Sequence, residues 1–371
     1  MKTLTKILTI SLFGAFLGLF LALHLLLPDR DFSPLENRVL AQKPAFSAGA
    51  VLDGTYFDDL EKYIADQFPL RDGLMSLKAD CERLWGRKEN NGVYLAGDRL
   101  IERVDEPDET RLNSNLAALN RFKQQIDVPA YLMPVPTAAW LYADELPAGA
   151  PTADQDALLD AFRAGSLIGV IDLRDTFPAH AEENLFYRTD HHWTSRGAYY
   201  AAKAFLNRIG RGDALPALGE PTVLADDFNG TLFSSSGYRH ITPDTIEAYV
   251  SGEGVTVETW RSGSPELLDG LYDESFLTEK DKYSAFLGGN TPLSIVRTGN
   301  EGGRLLIVRD SFADSFVPFL TEAYSEIHLF DARYYKLPLS QYIAENEIDE
   351  VLFLYSLPDL CTDPNLAAVC K

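Results

Sequence analysis

The stretch LLIVRDSFADSF, residues 305–316, decides the fold of this chain. Its first four residues are consecutive aliphatic side chains, which is typical of a buried strand, and an apolar segment of helical pattern follows the polar turn. In an open parallel sheet, ligands bind beyond the carboxyl ends of the strands. Ser311 is therefore predicted to lie where a nucleophile would be exposed, and the alternative role for this serine is an ordinary helix N-cap.

The same alternation of strands and helices continues on both sides of this stretch. It predicts an α/β domain with a doubly wound, mostly parallel sheet and helices on both faces. Glycine, proline and serine accumulate at about 211–303, which we interpret as a β-containing insertion with a hairpin formed by 245–250 and 255–260. The predicted strands are 130–135, 167–171, 305–308, 327–330 and 351–355, and the predicted helices are 110–126, 154–164, 195–209, 313–324 and 339–346.

The N-terminal segment is apolar from Ile7 to Leu27 and follows two lysines. About 20 apolar residues span a bilayer as a helix, and no convincing signal-peptidase site follows, so we expect a transmembrane signal anchor with the rest of the chain outside the cytoplasm. Secretion after cleavage of the signal is the alternative. A single capping helix is predicted over 56–77. The predicted organisation is a signal anchor at 1–28, a stalk and capping helical segment at 29–92, and the α/β domain at 93–371.

Composition limits the possible partners. The 371 residues include 33 Lys and Arg against 55 Asp and Glu, a net charge of −22 that repels nucleic-acid backbones. Nucleic acid is therefore not expected as a partner. The three cysteines, Cys81, Cys361 and Cys370, permit at most one disulfide, so the last two close a small loop or all three are free thiols.

A second motif, YRTDHHWT at 187–194, precedes a predicted helix that Thr194 would cap. Asp190 and His192 are close enough in sequence for the carboxylate to orient the imidazole, as a general base requires. The alternatives are a polar loop cap and a metal site formed by Asp190, His191 and His192. We expect neither a metal nor a cofactor.

These two motifs complement each other. A serine hydroxyl needs a nearby base to act as a nucleophile, so Ser311, His192 and Asp190 are the predicted catalytic residues. Oxyanion or substrate contacts are predicted from the glycine turn FLGGN at 286–290 and from an arginine that follows a predicted strand. An ordinary tight turn and a solvated salt bridge are the respective alternatives. The candidates for these contacts are Gly289, Asn290 and Arg333.

The motifs resemble the DHHW family of exported bacterial proteins, which is similar to the alginate O-acetyltransferase group of the SGNH-hydrolase superfamily. The matching segments are TDHHWT at 189–194, DSF at 310–312, FLGGN at 286–290 and PLENR at 34–38. The resemblance implies an SGNH-like fold with Ser311 as nucleophile, His192 as base and Asp190 as its orienting partner. The histidine motif precedes the serine here, a permuted order that the acetyltransferase group shares. Arg309 stands where the usual GDS motif has glycine.

The resemblance implies an extracytoplasmic, membrane-anchored O-acetyltransferase or esterase that acts on a cell-envelope or secreted polysaccharide. It also implies a membrane-bound O-acyltransferase that supplies the acetyl groups. The residues leave two other functions open. One is a non-catalytic carbohydrate-binding or envelope assembly protein, and the other is a metal-dependent phosphoesterase.

Overall fold

The computed structural model describes residues 2–371, apart from residues 34, 37 and 262. Two positions of the PLENR segment, Pro34 and Asn37, therefore lie outside the described residues. Two units can be distinguished by their internal contacts. Unit 1 comprises residues 1–87 and 237–239, and unit 2 comprises 88–236 and 240–371.

Unit 1 begins with a long apolar helix, α1 (Lys2–Leu26). Within the part of the chain that the structure describes, its segment Thr3–Leu26 is the one helix long and apolar enough to cross a membrane. None of that segment is buried inside the structure. Length and composition suit a membrane anchor and an export signal equally well.

The remaining elements of unit 1 are short. Where a single helix was predicted over 56–77, the structure has two helices, so that prediction is wrong. The chain breaks at Pro69, which has no N–H to continue a helix, and at Leu70, whose φ of 59° is left-handed. The elements after α1 are β1 (Phe32–Ser33), β2 (Arg38–Val39), α2 (Ala48–Asp53), α3 (Thr55–Asp66) and α4 (Arg71–Leu84).

Unit 2 contains the large sheet and its covering helices. Its strands are β3 (Glu89–Asn90), β4 (Val93–Ala96), β5 (Arg99–Glu102), β6 (Ala130–Val135), β7 (Gly169–Val170), β8 (Thr222–Phe228), β9 (Asp244–Ala248), β10 (Thr256–Trp260), β11 (Pro265–Asp269), β12 (Leu293–Arg297), β13 (Gly303–Arg309), β14 (Tyr324–Phe330) and β15 (Glu350–Ser356). Its α-helices are α5 (Glu109–Gln125), α6 (Ala138–Leu141), α7 (Gln155–Gly165), α8 (Ser195–Arg208), α9 (Thr231–Ser236), α10 (Ala313–Phe316), α11 (Leu339–Glu345), α12 (Leu357–Thr362) and α13 (Leu366–Val369).

The large sheet has eight strands in the order β11-β10-β12-β14-β13-β15-β6-β7. Strands β14, β13, β15, β6 and β7 run parallel, whereas β12, β10 and β11 extend one edge in antiparallel pairing. Leu305 of β13 faces a core that contains Phe205 of α8, and Leu306 faces a second core that contains Phe122 of α5. Because successive residues of a strand point to opposite faces, helices cover both sides of the sheet. The predicted doubly wound, mostly parallel α/β architecture is confirmed.

Two further predicted elements, both in unit 2, differ from the observed ones. The helix predicted over 313–324 is reduced to α10 and a 3-10 turn at Val317–Leu320, because Pro318 lacks the N–H that a longer helix needs. The predicted hairpin is wrong, since β9 pairs with β8 while β10 pairs with β11 and β12. Alternating hydrophobicity predicts a strand and its buried face, but it leaves the partner strand undetermined.

All three cysteines are free, so the structure shows no bond between the two in the C-terminal tail. Cys361 and Cys370 are buried in the core that contains Phe122. Burial raises the pKa of both thiols to about 12. They pack as small apolar side chains.

Candidate active site

Ser311 lies immediately beyond β13, at the carboxyl edge of the large sheet, and is half-buried. Its Oγ is 2.6 Å from His192 Nε2, and His192 Nδ1 is 2.6 Å from Asp190 Oδ1. The structure thus brings the three predicted residues into one hydrogen-bonded chain. With Nδ1–H donated to the carboxylate, Nε2 is left as the acceptor for the serine proton. The serine hydroxyl therefore faces the imidazole and does not cap α10.

Asp190 is held on both of its oxygens. Oδ1 also accepts the backbone N–H of His192 at 3.0 Å, and Oδ2 accepts the N–H and the hydroxyl of Thr231 at 2.7 and 2.9 Å. Burial acts to raise the pKa of Asp190, but the charges of His191 and His192 and these hydrogen bonds hold it well below its usual value. The carboxylate therefore stays ionised beside the imidazole. A Cβ on Gly230 would lie 2.3 Å from Asp190, so the close contact between the backbone at position 230 and the Asp190 side chain requires glycine.

Aromatic rings fix the plane of the His192 imidazole. The ring of Tyr283 stacks on it with centroids 4.0 Å apart and an angle of 9° between the planes. The Tyr283 hydroxyl donates to the Ser311 carbonyl at 3.1 Å and is hydrogen-bonded to Ser315 Oγ at 3.0 Å. Burial raises the pKa of Tyr283 well above its ordinary value, so the hydroxyl keeps its proton. One tyrosine thus contacts both the imidazole and the backbone of the serine.

Trp193 connects the histidine loop to the segment that carries the serine. Its indole is fully buried, and Nε1–H lies 3.0 Å from both the Phe312 carbonyl and Ser315 Oγ. The Trp193 and Phe312 rings are also in edge contact at 5.2 Å. The tryptophan thus helps to fix the position of the histidine loop relative to the serine segment.

Trp193→Phe is expected to lower the free energy of unfolding by about 1–3 kcal/mol, because buried acceptors lose their donor. Urea denaturation followed by circular dichroism measures the change. The matched control is Trp140→Phe, since Trp140 is only half-buried and its indole donates to the Asp156 carboxylate at 3.1 Å in a solvent-exposed hydrogen bond. That variant should stay within about 0.5 kcal/mol of the wild type. Equal losses in the two variants would contradict the role assigned to Trp193.

The three residues predicted to contact an oxyanion differ in whether their hydrogen-bond donors are already used within the protein. The Gly289 N–H donates to the Phe286 carbonyl at 3.1 Å, and Arg333 forms an ion pair with Asp331 at 2.6 Å. Asn290 is exposed, and its Oδ1 accepts from Arg333 at 3.2 Å. Its amide NH₂ has no hydrogen-bond acceptor among the described residues, so it is the candidate with a donor to offer.

Arg309, at the position where glycine is usual, is the fully buried last residue of β13. Its guanidinium pairs with Asp314 at 3.0 Å and donates to Asn290 Oδ1 at 3.1 Å. The departure from glycine therefore supplies a second hydrogen bond that orients the Asn290 amide. The Ser311 N–H makes no hydrogen bond within the described part of the chain, so the serine turn still presents a backbone donor.

His191 lies at the wall of a cleft beside the site. Its Nδ1 is 2.8 Å from the Thr231 hydroxyl, and its ring lies 3.9 Å from that of His192. Burial and the neighbouring imidazole lower the pKa of His191, although Asp190 acts in the opposite direction. The cleft has a volume of about 280 Å³ and is also lined by Phe312, which follows the serine.

Asp190, His191 and His192 are also a possible metal-ligand group, since one ligand atom from each lies within 4.8 Å of the others. Asp190 and His192, however, already use their oxygen and nitrogen atoms in hydrogen bonds within the protein. A metal would have to displace the serine or the threonine. The arrangement suits proton transfer better than metal binding.

The family model described as DHHW protein matches residues 36–117 and 115–330. The chain belongs to the DHHW family. The DHHW motif for which the family is named occupies residues 190–193, in the loop that carries the histidine pair and the tryptophan. The predicted family resemblance is confirmed.

Several solved structures are similar to this chain. A DHHW family protein from Eubacterium siraeum is 26% identical, with a TM-score of 0.62 over 76% of this chain and 95% of that chain. Bacillus cereus PatB1, solved with a sulfonyl adduct, is 20% identical, with a TM-score of 0.63 over 75% of this chain and 98% of that chain. The O-acetyltransferase domain of Pseudomonas putida AlgJ is 18% identical, with a TM-score of 0.45 over 75% of this chain and 98% of that chain. No curated protein matches the sequence. The first two of these structures, with TM-scores of 0.62 and 0.63, share the SGNH-like α/β fold that the resemblance implied.

Sequence reasoning missed several residues that shape this DHHW site. Thr231 and Gly230 support Asp190, and Tyr283 supports His192. The only local signal is the NGT sequence at 229–231, where a glycine precedes a short helix. Tyr283 carries no such signal, because the residues it contacts lie far from it in sequence.

Proposed function

We propose that this DHHW protein is an exported O-acyltransferase or esterase that uses a Ser-His-Asp triad. The observation that carries the proposal is the hydrogen-bonded chain of Ser311, His192 and Asp190, with both links at 2.6 Å. A neutral imidazole aligned with a serine hydroxyl on one side and a carboxylate on the other is the arrangement that activates an alcohol near neutral pH. Asp190 would stabilise the imidazolium that forms.

The proposed reaction has two halves. Ser311 Oγ attacks the carbonyl carbon of an acyl ester while His192 Nε2 takes the serine proton, and that proton is returned to the departing alcohol. The acyl-serine is then attacked by a sugar hydroxyl or by water, whose proton passes to His192 and back to Ser311. A sugar acceptor gives O-acyl transfer, and water gives hydrolysis.

The Ser311 N–H and the Asn290 amide are the proposed oxyanion donors. Arg309 and Arg333 hold Asn290 Oδ1, so they act as positioning residues. Removal of both arginines would leave the amide free to rotate away from the reacting carbonyl. Gly289 supports the turn through its φ of 80°, which L-residues rarely adopt.

The proposed acceptor is a cell-envelope or secreted polysaccharide, and the cleft favours a neutral one. Its charged lining comprises Glu102, Asp105 and Asp359 against Arg103, which is paired with Asp105 at 2.8 Å. This excess of carboxylates disfavours a polyanionic glycan. The acetyl donor would be supplied by a membrane-bound O-acyltransferase, and α1 would anchor the chain in the membrane. The proposed organisation keeps the anchor at 1–28, the stalk and capping segment at 29–92 and the α/β domain at 93–371.

A transfer assay tests this function. The full chain in phosphatidylcholine vesicles is given an aryl acetate and a neutral oligosaccharide, and the products are analysed by mass spectrometry. We expect release of the aryl alcohol together with an acetylated sugar or acetate, slower transfer to a uronic-acid oligosaccharide, and no effect of a chelator. Loss of turnover with chelator, restored by a divalent metal, would favour the phosphoesterase alternative. Glycan binding without turnover would favour the non-catalytic one.

A further inference from the structure

We infer that helices α3 and α4 lie at the membrane–water interface, on the extracytoplasmic side of the membrane that α1 spans. Lipid acyl chains fill the apolar groove that these helices line. The inference takes α1 as the membrane anchor proposed above and does not depend on the chemistry at Ser311. It concerns unit 1 alone. The proposed occupant is the lipid bilayer itself, and a second copy of the chain or another protein would be excluded from the groove.

The groove has a volume of about 640 Å³. Phe57 and Ile64 in its wall are 57% and 46% exposed, which is a large apolar surface to leave in water. The other large apolar side chains that line it are Leu60, Phe68, Leu74 and Met75. On α3 these positions follow helical spacing and form one continuous stripe.

Contacts with α1 place this groove at membrane depth. Phe68, which lines the groove, stacks on Phe20 with ring centroids 5.1 Å apart. Phe20 precedes the last residue of α1, Leu26, by about 9 Å at ~1.5 Å per residue. An α1 that spans the bilayer therefore carries Phe20 below the membrane surface. Phe68 and the groove are brought to the same level.

A second set of contacts keeps α3 beside the end of α1. His24 Nδ1 is 3.3 Å from the Gln67 carbonyl, and the His24 ring meets Tyr63 edge-on at 5.7 Å. Arg30, just beyond α1, is paired with Asp72 of α4 at 2.7 Å. The two helices are thus attached to the anchor at several points and cannot move away from the interface independently.

The charge of unit 1 and the amphipathic character of α3 are consistent with binding to a lipid surface. Beyond α1, unit 1 has nine basic and eleven acidic residues, whereas unit 2 has 22 and 44. Anionic headgroups would repel unit 2 but exert little repulsion on unit 1. The side of α3 opposite Ile64 carries the exposed Asp59–Lys62 ion pair, as an interfacial helix requires. Trp85 at the end of α4 is 86% exposed, and tryptophan is enriched at membrane interfaces.

Depth-dependent fluorescence quenching tests the inference in the full chain. Cysteines are introduced one at a time as Ile64→Cys, Lys62→Cys and Leu12→Cys, each in a Cys81→Ser background whose two remaining thiols, Cys361 and Cys370, are buried. Each introduced cysteine carries an environment-sensitive dye in phosphatidylcholine vesicles. The dye at position 64 should be quenched by acyl-chain nitroxide lipids and protected from aqueous iodide. The matched control at position 62, on the opposite side of the same helix, should show the reverse. Position 12 lies in the middle of α1 and reports insertion of the anchor.

Each other outcome overturns the inference. A dye at position 64 that iodide reaches as readily as at position 62 would place the groove in water. A dye at position 64 that is shielded from both quenchers would mean that protein covers the groove. Quenching at position 12 without quenching at position 64 would mean that α1 is inserted in the bilayer but that α3 and α4 do not lie at its interface. Acyl transfer is not a readout here, so failure of the proposed chemistry leaves these results unaffected.

Discussion

Ser311→Ala is expected to reduce kcat for an aryl acetate by about 10⁶-fold, to the background rate, because the attacking oxygen is removed. Among the described residues, Ser311 carries the one hydroxyl that is hydrogen-bonded to the His192 ring. The fold should survive, since Ser311 is half-buried and its Oγ has one hydrogen bond, to His192 Nε2. The measurement is release of the aryl alcohol by wild type and variant at equal folded concentration, checked by circular dichroism.

The control and a chemical probe make this result specific. Ser284→Ala removes a serine whose Oγ donates to Asp281 at 2.7 Å in a neighbouring turn, and it should retain activity close to that of the wild type. An aryl sulfonyl fluoride should modify the wild type at Ser311 and leave Ser311→Ala unmodified at that peptide. Comparable turnover by Ser311→Ala and wild type would overturn the proposed mechanism.

The architecture was predictable where local pattern and burial coincide. The central residues of strands β6, β13 and β15 form apolar runs, most of them buried on both faces of the sheet, so the sequence pattern alone predicts these strands. The pairing of β10 was not predictable in the same way, because Val257 and Thr259 would be buried equally well in a hairpin. Strand choice depends on contacts far apart in sequence, to which a periodic pattern is insensitive.

The site shows the same division between local and distant information. Asp190 and His192 are two residues apart, so their contact is local, and Ser311 could be placed near them because strand ends share one edge of a sheet. Tyr283 and Thr231 reach the site only through tertiary folding. Arg333 was predicted from its place after a strand, but the ion pair with Asp331 that occupies its guanidinium depends on side-chain geometry.

Asp190→Asn is expected to reduce kcat by about 10⁴-fold, the order found when a triad carboxylate becomes an amide. Asp190 accepts hydrogen bonds from His192 on one oxygen and from Thr231 on the other. An amide has one acceptor oxygen, so its NH₂ must face one of these donors. The imidazole then loses its orientation or the Thr231 side loses its acceptor. The measurement is aryl acetate turnover together with the rate of sulfonylation at Ser311, which should fall in parallel.

The matched control is Thr231→Val, which removes one donor to Asp190 Oδ2 and keeps the backbone N–H bond at 2.7 Å. Its kcat should fall by no more than about tenfold, because the carboxylate keeps its charge and its contact with His192. Equal effects of Asp190→Asn and Thr231→Val would mean that packing, not charge, is what Asp190 contributes.

Acid unfolding separates the charge of Asp190 from its packing by a route independent of turnover. The pKa of Asp190 is held below its unfolded value of about 3.9, so the folded state releases this proton more readily than the unfolded chain. Its contribution to stability is therefore full above about pH 4 and is lost as the pH falls toward the folded pKa. Asp190→Asn has no such proton, so its stability should decline less steeply than that of the wild type over this acid range. A decline of equal steepness in urea titrations at each pH would indicate that the carboxylate is not ionised beside His192, and the proposed base would then lack its orienting charge.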